Sequence, residues 1–337
     1  MAHHPDTPPD TTGADAADGP GWTLDVLIPH YCDPEGLAQA LASVAAQDWL
    51  DDPAHRLRVV VVDDGSPPED LAAARAACAA FQAQSGQVLV LEVTPSNQGR
   101  PAARNRLLAL ARAPYLSWLD AGDIWYPRKL SVQFARLARA EAGGADPARL
   151  WVTCAYDRDQ RGRRQAVQQR VAGDQVAAIL MGDDLRAYLW TLLARAEAFR
   201  IAGHFDTRLP RLQDVEYFLT FLRAGGQIVA PDDPAPLCCY FKSDIGRDAR
   251  QVAEAYQLIL ANSAPVIRGY PRDVRRRLAH KSWMLPARFA RSNGDHLAMA
   301  EFLLRAALAH PGLSLRRSLA YARRRLSALR RRAGGDA

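Results

Sequence analysis

Two short acidic clusters are the residues of this sequence best suited to chemistry. Asp63-Asp64-Gly65-Ser66 follows the apolar run LRVVVV, and Asp120-Ala121-Gly122-Asp123 follows PYLSWL. Carboxylates at strand ends that face one crevice suit a hard divalent cation shared with phosphate oxygens. Asp-Gly and Gly-Asp pairs are also common in turns and helix caps, so each cluster alone permits a purely structural interpretation.

Strands that alternate with helices must position these clusters. The predicted strands are TLDVLIP (23–29), LRVVVV (57–62), QVLVLEV (87–93) and PYLSWL (114–119). Asp33 is the predicted N-cap of the first helix, and Ser66 to Glu69 reads as a capping box for the second. This order predicts an α/β fold with a mostly parallel sheet and right-handed crossovers.

Ligands of such sheets bind at the carboxyl ends of the strands, so we expect four polar loops to meet at one edge. These loops are Pro29–Asp33, Asp63–Ser66, Ser96–Arg100 and Asp120–Asp123. Downstream, the pattern predicts a strand at 151–156, an exposed loop or hairpin at 157–170, helices near 195–202 and 211–224, and strands near 227–230 and 236–242. From about residue 250 the sequence reads as helical.

The composition is that of a globular protein. The 337 residues are 48% apolar and 24% charged, with a mean hydropathy of −0.22. No apolar run approaches the ~18 residues of a membrane-spanning helix, and residues 1–22 lack the features of a secretory signal. The five scattered cysteines suit reduced thiols. We therefore expect a cytoplasmic protein with a disordered tail at 1–22.

The formal charge of +6 is unevenly distributed. Residues 1–22 hold four Asp and no Lys or Arg, whereas residues 312–337 hold eight Arg and one Asp. The remaining chain is close to neutral for its size, so no nucleic-acid partner is expected. The phosphate-binding patterns of dinucleotide and P-loop proteins, GxGxxG after the first strand and GxxxxGK[ST], are absent from the sequence.

A series of motifs is more specific than either acidic cluster. DVLIPHY, LASVAAQ, VVVVDDGS, SNQGRPAARN, YLSWLDAGDIWYPRKL and LQDVEYFLTFLRAGG occur in this order. The series resembles the family 2 glycosyltransferases, over roughly residues 23–245. The resemblance implies a GT-A fold, followed here by a helical C-terminal region at 246–337. It also implies an inverting enzyme of polysaccharide biosynthesis that uses a nucleotide-diphosphate sugar and Mg²⁺ or Mn²⁺, and a glycan or lipid-linked glycan as acceptor.

The resemblance assigns the nucleotide pocket to four of the motifs. Asp64 would accept a hydrogen bond from a ring N–H of the base, and Pro29, His30 and Tyr31 would form a wall beside base and ribose. His30 stands where the family often has Thr or Ser. Arg104 and Asn105 would support the pocket, although Arg104 could instead only pin its helix to the aspartate loops.

The same resemblance implies that Asp123 is the metal ligand and Asp120 the second one, at the edge of the nucleotide pocket. The family commonly has acids at the first and third positions of this motif, and the third here is Gly122. Gly122 permits the tight turn that would bring both carboxylates to one cation. With one fewer acidic ligand the diphosphate must supply more oxygens, and metal independence is the alternative.

Asp214, in LQDVEYF, is the general base that the resemblance implies, although Gln213 replaces the family's preceding Glu. Glu216 lies two residues further along the predicted helix and so points away from Asp214. A single base without a second nucleophilic carboxylate fits an inverting displacement. The alternative is that Asp214 only favours the helix dipole as a first-turn acid.

Several other residues are weaker candidates. Trp125 and Trp190 are candidates for stacking on sugar rings, although tryptophans more often pack in a core. Lys242 and Arg247 could close over a diphosphate or lie in a solvated loop.

Leucines and alanine at positions 315, 319, 322, 326 and 329, with arginines between them, predict a basic amphipathic helix. Residues 313–332 are therefore a candidate contact with the anionic inner face of a membrane, to which the protein would be peripheral. Docking of this helix on the protein's own helical region would produce the same stripe.

Two other classes of function compete with a transferase. A catalytically silent nucleotide-sugar-binding protein would keep the fold, and Gly122 and Gln213 support that alternative. A nucleotidyltransferase also joins an α/β sheet to acidic metal ligands. It usually carries a Gly-rich basic loop after its first strand, which PHYCDPEG does not resemble.

Overall fold

The structure is a computed structural model and describes residues 23–241 and 248–320. The predicted tail at 1–22, the candidates Lys242 and Arg247, and residues 321–337 lie outside the described residues. The domain boundary predicted at 245 falls there as well and stays a prediction.

The described residues form strands that belong to two sheets. They are β1 (Leu24–His30), β2 (Leu57–Asp63), β3 (Val88–Val93), β4 (Tyr115–Trp118), β5 (Ile124–Trp125), β6 (Leu150–Val152), β7 (Tyr156–Gln160), β8 (Arg163–Val167), β9 (Leu193–Arg195), β10 (Gln227–Val229) and β11 (Cys238–Phe241). The helices are α1 (Pro34–Ala45), α2 (Pro68–Ser85), α3 (Arg100–Leu110), α4 (Lys129–Ala142), α5 (Gln175–Met181), α6 (Ala196–Ala202), α7 (Gln213–Arg223), α8 (Ala249–Asn262), α9 (Ala264–Gly269), α10 (Arg272–Ser292) and α11 (His296–Ala309).

The main sheet has seven strands in the order β10-β6-β9-β4-β1-β2-β3. It is parallel except at β9, which runs antiparallel to β4 and β6. All seven residues of β2 are buried, as expected for a strand that helices cover on both faces. Val60 and Val62 face the core beside α3, α6 and α7, and Val59 and Val61 face the core beside α1, α2 and α4. The predicted fold class is confirmed.

A smaller sheet with the order β5-β11-β7-β8 begins one residue after Asp123. The prediction of one strand over 151–156 is wrong, because β6 ends at Val152 and β7 begins at Tyr156. β6 pairs with β9 and β10, whereas β7 pairs with β11 and β8. The apolar run at 151–156 therefore contributes residues to strands of two different sheets. The hairpin expected within 157–170 is present as β7 and β8.

The two predicted helix caps have different outcomes. The Asp33 carboxylate accepts a hydrogen bond from the Gly36 N–H (3.0 Å), with Pro34 in the first turn of α1, so this N-cap is confirmed. The capping box at Ser66 is wrong. Pro67 is the N-cap residue of α2 and makes no side-chain cap bond, because the Ser66 hydroxyl bonds another loop.

Helices α8 to α11 account for most of the described residues after 248. Ala255 and Ile259 of α8 belong to the same core as α7, and the Tyr256 hydroxyl donates to the Leu180 carbonyl. Helices α10 and α11 pack on each other, and together with Ala249 and Ala253 of α8 they enclose a second, small core. Among residues 23–241 and 248–320, no helix is long and apolar enough to cross a membrane.

Candidate active site

The first two loops meet because β1 and β2 pair in register up to their last residues, His30 and Asp63. The imidazole Nδ1 of His30 lies 2.7 Å from the Asp63 Oδ2 atom, and both side chains are buried. The Ser66 N–H donates to the Asp63 Oδ1 atom (2.9 Å), and the Cys32 N–H donates to the Ser66 hydroxyl (2.9 Å). The two loops are thus joined by side chains.

Both ring nitrogens of His30 are used by this framework. The Asp33 N–H can only donate, so the Nε2 atom, 3.3 Å away, is the acceptor and the proton of a neutral ring lies on Nδ1. The resemblance implied a wall of Pro29, His30 and Tyr31. Of these, Tyr31 is exposed, Pro29 is partly exposed and His30 is buried. Tyr31 is the residue that can face a ligand.

The two carboxylates of the VDDGS motif have different surroundings. Burial by itself raises the pKa of Asp63, but hydrogen bonds from Ser66 and His30 outweigh it, and the pKa lies below its ordinary value. Asp63 is therefore a charged anchor within the protein. Asp64 instead accepts from the N–H groups of Gln98 and Gly99, both at 2.8 Å, just before α3.

Gly65 allows the second and third loops to approach. Its φ is +74°, and a Cβ atom at this position would lie 2.4 Å from the carbonyl carbon of Ser96. No other residue fits without moving a backbone. The Asp64 Oδ1 atom also lies 3.4 Å from the Thr94 hydroxyl, whereas Oδ2 accepts from the Gly99 N–H. Because each carboxylate oxygen can accept two hydrogen bonds, Oδ2 keeps a lone pair for a further donor.

Arg104 connects α3 to the fourth loop. Its Nη2 atom donates to both oxygens of Asp120, at 3.0 and 3.2 Å. The guanidinium is buried, and its Nε and Nη1 atoms have no hydrogen-bond partner within residues 23–241 and 248–320. The neighbouring Asn105 exchanges two hydrogen bonds with the backbone of Phe205 (2.7 and 2.9 Å), in the segment that leads to α7. Two adjacent residues therefore join three parts of the site.

Asp123 is buried at the end of the fourth loop. Its Oδ1 atom accepts from the Phe241 N–H (3.2 Å), so strand β11 holds it from a distance of 118 residues in the chain. Burial and the negative charge of Asp120 raise the pKa of Asp123 well above its ordinary value, against the N–H of Phe241 and the positive charge of Arg100. Gly122, with φ +89°, forms the turn and lies beside the Asp33 carboxylate.

Asp214 lies in the first turn of α7, which follows Leu212 in the left-handed region (φ 59°). The residue as a whole is half-buried. Burial raises the pKa of Asp214, the positive charge of Arg104 lowers it, and the negative charge of Asp120 raises it. Glu216 points elsewhere, as expected, and bonds Arg223 (2.6 Å) and Asn262 (3.2 Å).

The structure therefore brings together Arg104, Asp120, Asp123 and Asp214, which interact electrostatically at the carboxyl edge of the sheet. It does not bring the two tryptophans to the surface. Trp125 and Trp190 are buried, and the indole N–H of Trp125 donates to the Trp190 carbonyl (3.3 Å). Neither can stack on a sugar.

The aspartates provide an incomplete metal site. The ranges that the structure describes contain no group of three or more His, Cys, Asp or Glu side chains able to hold a metal. Asp120 and Asp123 are close enough to raise the pKa of Asp123, and a cation would relieve that repulsion. This pair fits a divalent cation whose remaining ligands come from a bound diphosphate or water.

Sequence reasoning missed two residues at this edge. Arg100 is exposed, opens α3 and lowers the pKa of Asp123 through its charge. A basic residue in the first turn opposes the helix dipole, and this was the available signal. Phe241 is an exposed aromatic residue whose N–H binds Asp123. No local signal could have paired it with that carboxylate.

A sequence model of one family, glycosyl transferase family 2, matches residues 25–193. This span is about half of the chain and holds all four loops. The chain belongs to the family 2 glycosyltransferases, so the resemblance inferred from the motifs is confirmed.

The similar curated proteins include the succinoglycan biosynthesis protein ExoU of Rhizobium meliloti. It is 34% identical over 94 residues, or 28% of this chain and 24% of that protein. An N-acetylglucosaminyltransferase of Bradyrhizobium elkanii is 48% identical over 50 residues, or 14% of this chain and 25% of that protein. The matches thus span about a quarter of these relatives.

Solved structures of similar fold extend the likeness to most of the chain. S. aureus TarS 1–349 in complex with UDP-GlcNAc has a TM-score of 0.57 at 17% identity, covering 84% of this chain and 81% of that one. The mannosyltransferase PcManGT of Pyrobaculum calidifontis, in complex with GDP-Man and Mn²⁺, has a TM-score of 0.52 at 19% identity, covering 90% and 81%. The predicted GT-A type of fold is confirmed.

Proposed function

We propose that the protein is an inverting glycosyltransferase that moves a sugar from a nucleotide-diphosphate sugar to an acceptor hydroxyl on a glycan or lipid-linked glycan. Membership of family 2 supports the class of reaction. TarS and PcManGT, which share the fold, were solved with UDP-GlcNAc and GDP-Man, and this supports a nucleotide-sugar donor.

The donor would bind across the four loops. Asp64 would accept from the base, and exposed Tyr31, beside Pro29 and His30, would cover base and ribose. The diphosphate would lie near Asp120 and Asp123, with Arg100 as a cation at its edge. Two nitrogens of Arg104 have no acceptor in the part of the chain that the structure describes, and this supports a role in binding as well, because a buried donor without an acceptor is costly unless a ligand supplies one.

Asp123 and Asp120 are the residues that would hold Mg²⁺ or Mn²⁺. A bound cation would neutralise the charge that develops on the leaving diphosphate. Its ligand set in this chain has two carboxylates, of which Asp120 is also paired with Arg104. Arg100 could supply part of the same charge, and metal independence therefore stays an alternative.

Asp214 would act as the base. The acceptor oxygen would attack the anomeric carbon from the face opposite the diphosphate and lose its proton to the Asp214 carboxylate. The bond between the anomeric carbon and the diphosphate oxygen would break, and the nucleoside diphosphate would leave with the electron pair. A raised pKa suits this role, because a carboxylate that binds a proton more readily is a stronger base.

One observation carries this proposal, the position of Arg104. Its guanidinium bonds Asp120 and its charge lowers the pKa of Asp214. The loop suited to the diphosphate and the helix suited to the base therefore share one buried cation. A turn-forming aspartate and a first-turn helical acid, each present for local reasons, would not require this arrangement.

The experiment is a nucleotide-release screen with UDP-, dTDP-, GDP- and ADP-sugars, each with Mn²⁺, Mg²⁺ or EDTA. Binding of each donor is followed separately by the shift in melting temperature. We expect one nucleotide to be released slowly without an acceptor. Asp123→Asn should lose the part of this release that the metal stimulates. Asp157→Asn is a matched control, since the Asp157 carboxylate on β7 is outside the four loops and accepts a hydrogen bond from the Tyr126 hydroxyl (2.8 Å).

The outcomes separate the competing functions. Binding of a donor without release, also in the presence of candidate acceptors, would favour a silent nucleotide-sugar-binding protein. Pyrophosphate release from a nucleoside triphosphate would favour a nucleotidyltransferase. Absence of binding by every donor would overturn the proposal.

A further inference from the structure

Exposed apolar side chains are concentrated in the C-terminal part of the described chain. Eight large apolar residues are exposed in the part of the chain that the structure describes, and two of them, Tyr31 and Phe241, border the candidate active site. The other six are Leu297, Leu303, Leu304, Leu308, Leu315 and Leu319. Exposed apolar side chains concentrated in one part of a chain often mark an interaction site.

Helix α11 exposes leucines on the side where a solvated helix usually carries polar residues. Leu297, Leu304 and Leu308 are 86%, 63% and 73% exposed. Their spacing of seven and four residues places them within about 40° of each other around the helix. The buried residues of α11, which are Ala298, Phe302 and Ala306, lie on a different face and pack towards α10. The leucine stripe therefore points away from the protein.

An acidic residue on the same side of α11 is neutralised. Glu301 lies between Leu297 and Leu304 and forms ion pairs with Arg305 (2.8 Å) and Arg250 (3.5 Å). The stripe thus carries no unpaired negative charge from Glu301.

Residues 311–320 carry two further exposed leucines. They are helical, and Leu315 and Leu319, four residues apart, are 62% and 51% exposed. Arg316 and Arg317 beside them are also exposed. Docking on the protein's own helical region would bury these leucines, so that alternative is not realised for residues 315–320. The rest of the predicted amphipathic helix lies outside the described residues.

A second copy of the chain and an anionic bilayer are the two remaining candidates to cover the exposed leucines, and the charge of residues 312–337 distinguishes between them. Residues 312–337 contain eight Arg and one Asp. A second copy of the chain docked on the same surface would bring two strongly positive segments together, which like-charge repulsion opposes. An anionic bilayer would instead attract the arginines while its acyl chains accept the leucines.

We propose that the exposed leucines of residues 297–319 (the leucine surface) and the neighbouring Arg316 and Arg317 bind an anionic lipid bilayer. The leucines enter the interface, Arg316 and Arg317 contact lipid phosphates, and the net positive charge of 312–337 adds to the attraction. This surface is separate in sequence from the four loops of the active site, and the inference does not depend on the proposed reaction. A protein without transferase activity would bind the same bilayer.

Cosedimentation of the full chain with vesicles tests this inference. We expect binding to phosphatidylcholine vesicles that contain 40% phosphatidylglycerol, and at least about tenfold weaker binding to phosphatidylcholine alone. Leu304→Ser/Leu308→Ser should bind the anionic vesicles about tenfold more weakly, because less apolar surface is buried. Arg316→Gln/Arg317→Gln should reduce affinity about as much and make binding less sensitive to salt.

A matched control removes two arginines elsewhere. Arg161→Gln/Arg163→Gln changes the charge of the exposed β7–β8 hairpin by the same amount and should bind vesicles like the wild type. Unchanged melting temperatures establish that the variants fold. The inference is overturned if the wild type ignores anionic vesicles or if Leu304→Ser/Leu308→Ser binds them normally. A dimer in light scattering that this leucine variant dissociates, without any vesicle binding, would assign the surface to self-association instead.

Discussion

Near the amino and carboxyl ends of its strands the main sheet has an arginine–aspartate pair with a buried arginine, and the two pairs differ. At the amino edge, Arg58 of β2 binds Asp25 of β1 through Nε (2.9 Å) and Nη2 (2.7 Å). Asp25 also accepts from the Arg112 and Ala113 N–H groups, and Arg58 donates to the Leu110 carbonyl. Asp25 and Arg58 thus make their hydrogen bonds with each other and with the backbone of the protein.

At the carboxyl edge, Arg104 binds Asp120 through one nitrogen only. Two further nitrogens of the same guanidinium have no hydrogen-bond partner among the described residues. The Asp120 side chain is 32% exposed, whereas that of Asp25 is fully buried. Nearby, Asp123 and Asp214 both have raised pKa values. One pair is complete as folded, and the other lies among groups that a bound ligand would satisfy.

The difference shows how stability and function separate within one sheet. A closed ion pair contributes order to the fold and has no capacity left for a ligand. An open pair stabilises the fold less, which is tolerated where the groups serve binding or catalysis. Substitutions at the two edges should therefore have opposite profiles.

The largest effect is expected for Asp214→Asn. Loss of the base should lower turnover by about 10²–10⁴-fold, while the nucleotide-induced shift in melting temperature remains. Because the folded protein raises the pKa of Asp214, this carboxyl costs stability as the pH rises from its unfolded pKa through the folded one. The melting temperature of Asp214→Asn at neutral pH should thus equal or exceed that of the wild type.

Asp70→Asn is the control, since Asp70 is also a first-turn acid, in α2. It should leave turnover unchanged. Equal turnover in Asp214→Asn and the wild type would mean that Asp214 only favours the helix dipole.

The next effect is on stability, for Arg58→Met. This change leaves Asp25 charged and buried, so the free energy of unfolding measured in urea should fall by about 3–5 kcal/mol. Adding Asp25→Leu should recover part of the loss, although two N–H groups then lose their acceptor. A loss below about 1 kcal/mol would contradict the view that this pair is closed and structural.

The smallest effect is expected for Arg104→Gln. The partly exposed Asp120 can be solvated, so the free energy of unfolding should fall by only about 1 kcal/mol. The pH profile should change more clearly. Turnover requires deprotonated Asp214, and removal of the positive charge raises the pKa of Asp214 further, so the acid limb should move to higher pH.

Arg104→Lys keeps the positive charge and should keep the acid limb near that of the wild type. If the acid limb of the pH profile is unchanged in Arg104→Gln, the guanidinium does not affect the pKa of Asp214. The two edges would then differ only in burial.

The sequence predicted much of the fold because its signals are local. Continuous apolar runs followed by polar loops identified β1 to β4, and Asp33 with Pro34 identified the start of α1. Ser66 carries an equally local signal, and there the prediction failed. Its hydroxyl found a partner 34 residues away, which the spacing of Ser66 and Glu69 could not reveal.

The sequence by itself determined the family, the order of the strands along the chain and the four loops at one edge of the sheet, because motif order and hydrophobic periodicity are properties of the chain. Only the tertiary structure decided which groups the carboxylates bind. Asp63 is hydrogen-bonded to His30, Asp64 to the N–H groups before α3, and Asp123 to the Phe241 N–H. It also left the leucines of α11 exposed. These outcomes depend on packing between segments up to 118 residues apart, and no local pattern encodes which polar group a folded neighbour leaves unsatisfied.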